Sequence, residues 1–240
     1  MYIILPFLSV LIGFLIALAV NPKNKKNLKL LLAFSGSFLL TLTVCHLLPD
    51  VYEATAMVHL DHDHAHDHEH EHSHNPIGLF IMLGIVLQIV LEFFSKGAEH
   101  GHVHDHGHEN TVPYSLFISL CLHALMEGMP VSTHHEMAWG IAIHHLPIAV
   151  ILTLFFMHSK LSKTTVVGFM TLFAVMTPLG TLLSENIPVL QEYQTQISAV
   201  VIGILFHISA TIIFESNEGH KFNLAKLSAI IAGILFASFM

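Results

Sequence analysis

Long apolar runs separated by short polar stretches dominate the chain. Each run has roughly 17–21 residues, the length that a helix needs to cross a hydrocarbon core of about 30 Å. Backbone polar groups in lipid must be satisfied within the segment, so the runs are predicted to be helices. The pattern predicts an all-α integral membrane protein, a bundle of eight transmembrane helices forming one domain over residues 1–240. The predicted spans are 3–20, 28–48, 76–94, 112–131, 137–157, 164–183, 197–214 and 224–240.

The composition supports a membrane protein and excludes some partners. Hydrophobic residues make up 53% of the chain and charged residues 11%, whereas a soluble domain carries about 25% charged residues. The basic residues are nine lysines, too few and too scattered for a nucleic-acid partner. Cys45 and Cys121 both lie in apolar runs, so no disulfide framework is expected. The expected partners are a lipid bilayer and a small ligand. Homodimer formation is compatible with the sequence but is not required by it.

The lysines predict the orientation. Lysine accumulates in cytoplasmic loops. With eight spans and the N-terminus outside, all nine lysines fall on the inner side, after spans one, three, five and seven. A different span count would scatter them over both sides. They are Lys23, Lys25, Lys26, Lys29, Lys96, Lys160, Lys163, Lys221 and Lys226.

The fourth apolar run carries a histidine and a carboxylate at membrane depth. His123 and Glu127 are four residues apart and therefore share one face of a helix. An ionisable residue in the bilayer costs several kcal/mol unless it has a partner. Together they resemble half of a transition-metal site, and His144 and His145 on the fifth run are candidates for the other half. The alternative is a buried His–Glu pair that only holds two helices together.

Further candidate ligands lie at the predicted outer ends of the spans and in two low-complexity loops. His46 and Asp50 are four residues apart at the end of span two, and His134 and His135 occupy the loop after span four. Residues 59–74, outside, and 99–110, inside, are rich in histidine and are predicted to be disordered; in the first tract histidine alternates mainly with aspartate or glutamate. Imidazole is the commonest protein ligand for zinc, nickel and copper. The loops therefore indicate contact with metal without indicating which metal.

Four motifs, taken in their order along the chain, resemble those of the ZIP (Zrt/Irt-like) family of divalent metal transporters. The resemblance implies eight spans, an outward N-terminus, a His-rich inner loop between spans three and four, and metal ligands on spans four and five. The chain would be a divergent member. The motifs are His46-Leu-Leu-Pro-Asp50, His123-Ala-Leu-Met-Glu127-Gly128, His144-His-Leu-Pro147 and Ile208-Ser-Ala-Thr-Ile-Ile-Phe-Glu-Ser216.

Departures from the family pattern predict one metal ion where the family implies a pair. The positions concerned are implied to build the second metal of the pair and part of the inner exit. The ligands that remain are His123, Glu127, His144 and His145. Because two adjacent cations about 4 Å apart in a low-dielectric site repel by several kcal/mol, one carboxylate should hold one ion. The departing positions hold Ala124, Met126, Ile148, Thr177, Ala210 and Thr211.

These observations favour a transporter that brings a divalent metal into the cytoplasm across the cell (inner) membrane. Zn²⁺ is the first choice of substrate, because His/Glu sites without thiolate suit it; Co²⁺, Ni²⁺, Fe²⁺, Mn²⁺ and Cd²⁺ stay open. The sequence has no nucleotide-binding motif, and no enzyme activity is expected. Two alternatives are a membrane metal sensor or buffer that has lost transport, and a metal exporter. The exporter fits less well, because such proteins usually have six spans and a soluble C-terminal domain.

Overall fold

The computed structural model describes residues 2–20, 25–60, 76–95, 114–159, 161–215 and 224–239. Within these ranges the regular structure is helical and contains no β-strand. The two His-rich tracts lie outside the described residues, apart from residues 59 and 60. The helices are α1 (Ile4–Val20), α2 (Lys25–Leu42), α3 (Leu48–Leu60), α4 (Ile77–Ser95), α5 (Tyr114–Gly128), α6 (Met137–His158), α7 (Lys163–Asn186), α8 (Pro188–Glu192), α9 (Gln194–Glu215) and α10 (Leu224–Ser238).

The second predicted span is longer than expected and is interrupted by a π-helical turn. α2 and α3 are joined through the π turn Thr43–Leu47, so helical backbone runs from residue 25 to 60 and not only over 28–48. π turns accommodate one extra residue in an α-helix and occur frequently at functional sites. The turn contains His46, a predicted ligand.

Within the described parts of the chain, six helical segments are long and apolar enough to cross a membrane. They correspond to predicted spans two to seven. The helices at the two ends are apolar but shorter: α1 has 17 residues and α10 has 15. A helix of 15 residues rises about 22 Å, less than the hydrocarbon thickness. The structure thus supports a multi-pass, all-helical membrane protein, and the count of eight spans stays a prediction.

Glycines let the helices approach closely at several crossings, among them α4–α9, α2–α10 and α5–α7. A Cβ at Gly84 of α4 would meet the backbone of Val200 on α9, and one at Gly203 of α9 would meet the backbone of Ile81 on α4. Small residues are the usual solution for helix contact in membranes. The last helix packs in the same way. Gly233 of α10 packs directly against the backbone of α2.

The third crossing joins α5 to α7 and frames the centre of the molecule. A Cβ at Gly128 would meet the Thr177 carbonyl, and one at Gly180 would meet the Leu125 carbonyl. The Thr181 hydroxyl donates a 2.8 Å hydrogen bond to the Gly128 carbonyl. The end of α5 is therefore held against α7 by backbone contacts from both helices.

Candidate metal centre

α5 places an imidazole beside a carboxylate. His123 and Glu127 stand one turn apart, and His123 Nε2 lies 3.0 Å from Glu127 Oε1. Both residues are buried, at 2% and 1% exposure. The four-residue spacing predicted this shared face, and the structure has the two side chains in contact.

α6 brings two more imidazoles to the same carboxylate. His145 Nε2 donates to Glu127 Oε2 at 2.9 Å. His144 is also fully buried, and one ligand atom from each of His123, Glu127 and His144 lies within 4.8 Å of the other two. These four residues are called the buried cluster below. Oε1 of Glu127 therefore faces His123 on its own helix, and Oε2 faces His145 on α6.

The wall behind the buried cluster comes from α7. The ring of Phe173 lies 5.4 Å, centroid to centroid, from the ring of His145. Phe173 belongs to an apolar core shared by α5, α6 and α7, with Phe117 and Phe156. Water is therefore excluded on this side, which strengthens every electrostatic interaction of Glu127.

This arrangement suits a transition-metal ion. Neighbouring ligand atoms around a tetrahedral zinc are about 3.3 Å apart, given metal–ligand distances of about 2.0–2.1 Å, close to the His123–Glu127 separation. Imidazole nitrogen and carboxylate oxygen are ligands that Zn²⁺ accepts. The hydrogen bond from His145 to Glu127 is the kind of contact that orients a ligating carboxylate. We therefore propose His123, Glu127 and His144 as the residues that could hold a metal ion, with His145 as the residue that orients Glu127.

Two of the positions at which the chain departs from the family pattern face apolar surroundings. Ala124 is fully buried in the α5–α6–α7 core, and Ile148 packs against that same core. The hydroxyl of Thr211 donates to the His207 carbonyl at 2.8 Å. Among the described residues, Glu127 is the carboxylate of the buried cluster, and these side chains add no second one. This favours the single-ion hypothesis without testing it.

Among the described residues, neither His46 nor Asp50 belongs to the buried group of ligand atoms, and no group of three joins the two. Asp50 Oδ2 instead lies 3.1 Å from His134 Nδ1. His46 is half-buried in the π turn. His135 differs from its neighbour, because its ring stacks on Tyr2 at 3.7 Å between centroids and its Nδ1 donates to the Val131 carbonyl.

Two contacts were missed at the sequence level. Glu136 Oε1 lies 3.6 Å from His134 Nδ1, and a histidine two residues before a glutamate was the available signal. His207 of α9 pairs with Glu92 of α4 at 3.7 Å. Nothing in the local sequence links these two residues, because the pairing depends on how α4 packs on α9.

The fold and the buried cluster define a class, that of multi-pass helical membrane proteins with a histidine–carboxylate centre between helices. Residues 1–114 match the family model described as ZIP Zinc transporter. The match covers 114 of the 240 residues and ends before His123. Among the curated proteins compared with it, none matches the chain. The match supports the family resemblance read from the motifs and, with it, divalent-metal transport.

Proposed function

We propose that this protein carries a divalent transition metal, with zinc the first choice, into the cytoplasm by alternating access through a single site. The observation that supports the proposal is the buried carboxylate of Glu127 in contact with His123 and His145, with His144 close by. A charge at this depth costs several kcal/mol unless it is compensated. A bound divalent cation supplies that compensation.

A purely structural His–Glu pair explains less of the geometry. One hydrogen bond would tie α5 to α6, and His145 already provides it. His123 and His144 would then be two further buried imidazoles next to the same carboxylate. A cation explains all three, because each imidazole is then a ligand or orients one.

The choice of zinc rests on the ligand chemistry. The ligand set is nitrogen and carboxylate oxygen, and it contains no thiolate and few hard oxygen ligands. Such a set suits zinc and, less selectively, Co²⁺, Ni²⁺, Fe²⁺, Mn²⁺ or Cd²⁺. With one carboxylate, a divalent ion is only half neutralised, so binding is weak enough to allow release.

Uptake of radioactive zinc into proteoliposomes tests the function. The full chain should accumulate zinc when a zinc gradient is imposed, without added nucleotide, and the uptake should saturate. Liposomes without protein are the control. Zinc binding to the protein without accumulation would favour the sensor or buffer, and transport only out of the cytoplasmic side would favour the exporter.

The proposed orientation, with the N-terminus outside, can be tested by labelling in cells. In a Cys45→Ser background, Thr133→Cys should react with an impermeant thiol reagent added outside, because Thr133 is exposed in the predicted outer loop. Lys163→Cys, also exposed at the start of α7, should react only after permeabilisation. The reverse labelling pattern would overturn the orientation and with it the predicted direction of transport.

A further inference from the structure

A second group of metal-ligand types lies at the end of the bundle where α5 leads into α6. Ligand atoms of Asp50, His134 and Glu136 all lie within 4.8 Å of one another. His134 Nδ1 is the centre of the group, 3.1 Å from Asp50 Oδ2 and 3.6 Å from Glu136 Oε1. We call these three residues the outer triad.

Two distant parts of the chain position the outer triad. Asp50 is in the first turn of α3, directly after the π turn. His134 lies in the α5–α6 connection, where its backbone N–H donates to the Pro130 carbonyl at 2.8 Å. Glu136 is the N-cap residue of α6. The triad therefore joins the α2–α3 helix to the connection that leads into the buried cluster.

From this geometry we propose that the outer triad is a divalent-cation site that captures the metal before it reaches the buried cluster. The inference rests on the proposed transport function. Two carboxylates and one neutral imidazole balance the charge of a divalent ion. His134 would bind the ion through Nδ1 as the neutral tautomer that carries its proton on Nε2, so the ion takes the place of the contact between Nδ1 and Asp50.

Exposure separates the roles of the two sites. The side chains of Asp50 and Glu136 are 47% and 38% exposed, whereas the buried cluster is at most 2% exposed. An ion at the triad keeps part of its water, so it binds quickly and weakly.

Glu136 and His144 are eight residues apart along α6, about 12 Å of helix rise. At that distance the two ions repel far less than a pair about 4 Å apart.

The chain carries its own reporter for this site. Trp139 is its single tryptophan and follows Glu136 by three residues, on the same side of the helix. Paramagnetic Co²⁺ bound at the triad should quench the Trp139 fluorescence. The experiment uses the full chain with Glu127→Gln, so that the buried cluster contributes little to the quenching.

In that background Co²⁺ should quench Trp139 saturably. Adding Asp50→Asn with Glu136→Gln should raise the midpoint at least tenfold, and His134→Gln alone should raise it by several-fold. Glu53→Gln is the matched control, an exposed carboxylate one turn along α3, and should leave the midpoint within twofold. If the triad variants quench like the control, the outer site is wrong. His134→Gln decides the question if the double variant fails to fold.

Zinc uptake by the same triad substitutions, made in the chain that keeps Glu127, separates this inference from the proposed function. The triad variants should raise the zinc concentration for half-maximal uptake about fivefold to tenfold and leave the maximal rate unchanged. Normal uptake with unaltered quenching midpoints in the triad variants would reject the outer site alone. Triad-dependent quenching in a protein that transports no zinc would reject the transport function alone.

Discussion

Glu127→Gln should lower zinc uptake at scarce zinc by at least about 100-fold. Glutamine keeps the size of the side chain but removes the single negative charge of the buried cluster. A loss of about 3 kcal/mol of metal affinity corresponds to about 100-fold, and a divalent ion that loses its only anionic ligand should lose at least that much. The measurement is the initial rate of radioactive zinc uptake into proteoliposomes.

Two comparisons sharpen this experiment. His145→Ala should cost less, about tenfold, because His145 orients Glu127 and the remaining ligands stay in place. Glu53→Gln removes an exposed carboxylate outside both sites and should leave uptake unchanged. Each purified variant should elute like the unmodified protein. Uptake by the Glu127→Gln protein within threefold of the unmodified chain would remove the basis for the buried cluster as the transport site.

Gly180→Ala should destabilise the protein and impair transport together. The new Cβ would meet the carbonyl of Leu125, two residues before Glu127. Because that carbonyl belongs to helical backbone, it cannot rotate away, and α7 must shift. Overpacking of this kind costs about 1–3 kcal/mol, which should lower the Tm in detergent by about 3–10 °C.

The same helix offers the matched control. A Cβ at Gly168 of α7 would meet nothing within 4 Å. Gly168→Ala should therefore keep full uptake and raise stability slightly, because alanine favours a helix over glycine by about 1 kcal/mol. Equal melting temperatures for the two variants would show that the α5–α7 crossing is looser than the structure has it.

Much of the fold could be predicted because a segment that crosses lipid must have the periodicity of a helix and a nearly fixed length. The predicted fifth span, 137–157, differs by one residue from α6. The second span differs most, because the π turn keeps α3 helical beyond Pro49 and no hydrophobic period marks such a turn. A proline at the start of a helix costs no hydrogen bond. Pro49 is therefore compatible with a helix that continues after it, but it does not predict one.

The buried cluster was predictable from spacing within a helix, and the outer triad was not. A four-residue spacing on α5 fixes which face His123 and Glu127 share. The contact between His145 and Glu127 required two helices to pack, and the α6 motif supplied that hypothesis. Asp50 and His134 are separated by 84 residues in the chain, and their contact follows from the tertiary packing that brings α3 beside the α5–α6 connection.

The burial of Glu127 also bears on the electrical behaviour expected of this protein. An ion held where the carboxylate is 1% exposed has no continuous water path, so helices must move for each ion that passes. Such motions take microseconds to milliseconds or longer. Those motions limit the flux to at most about 10⁶ ions per second. For this reason, unitary current steps are not expected in a planar bilayer at any zinc concentration.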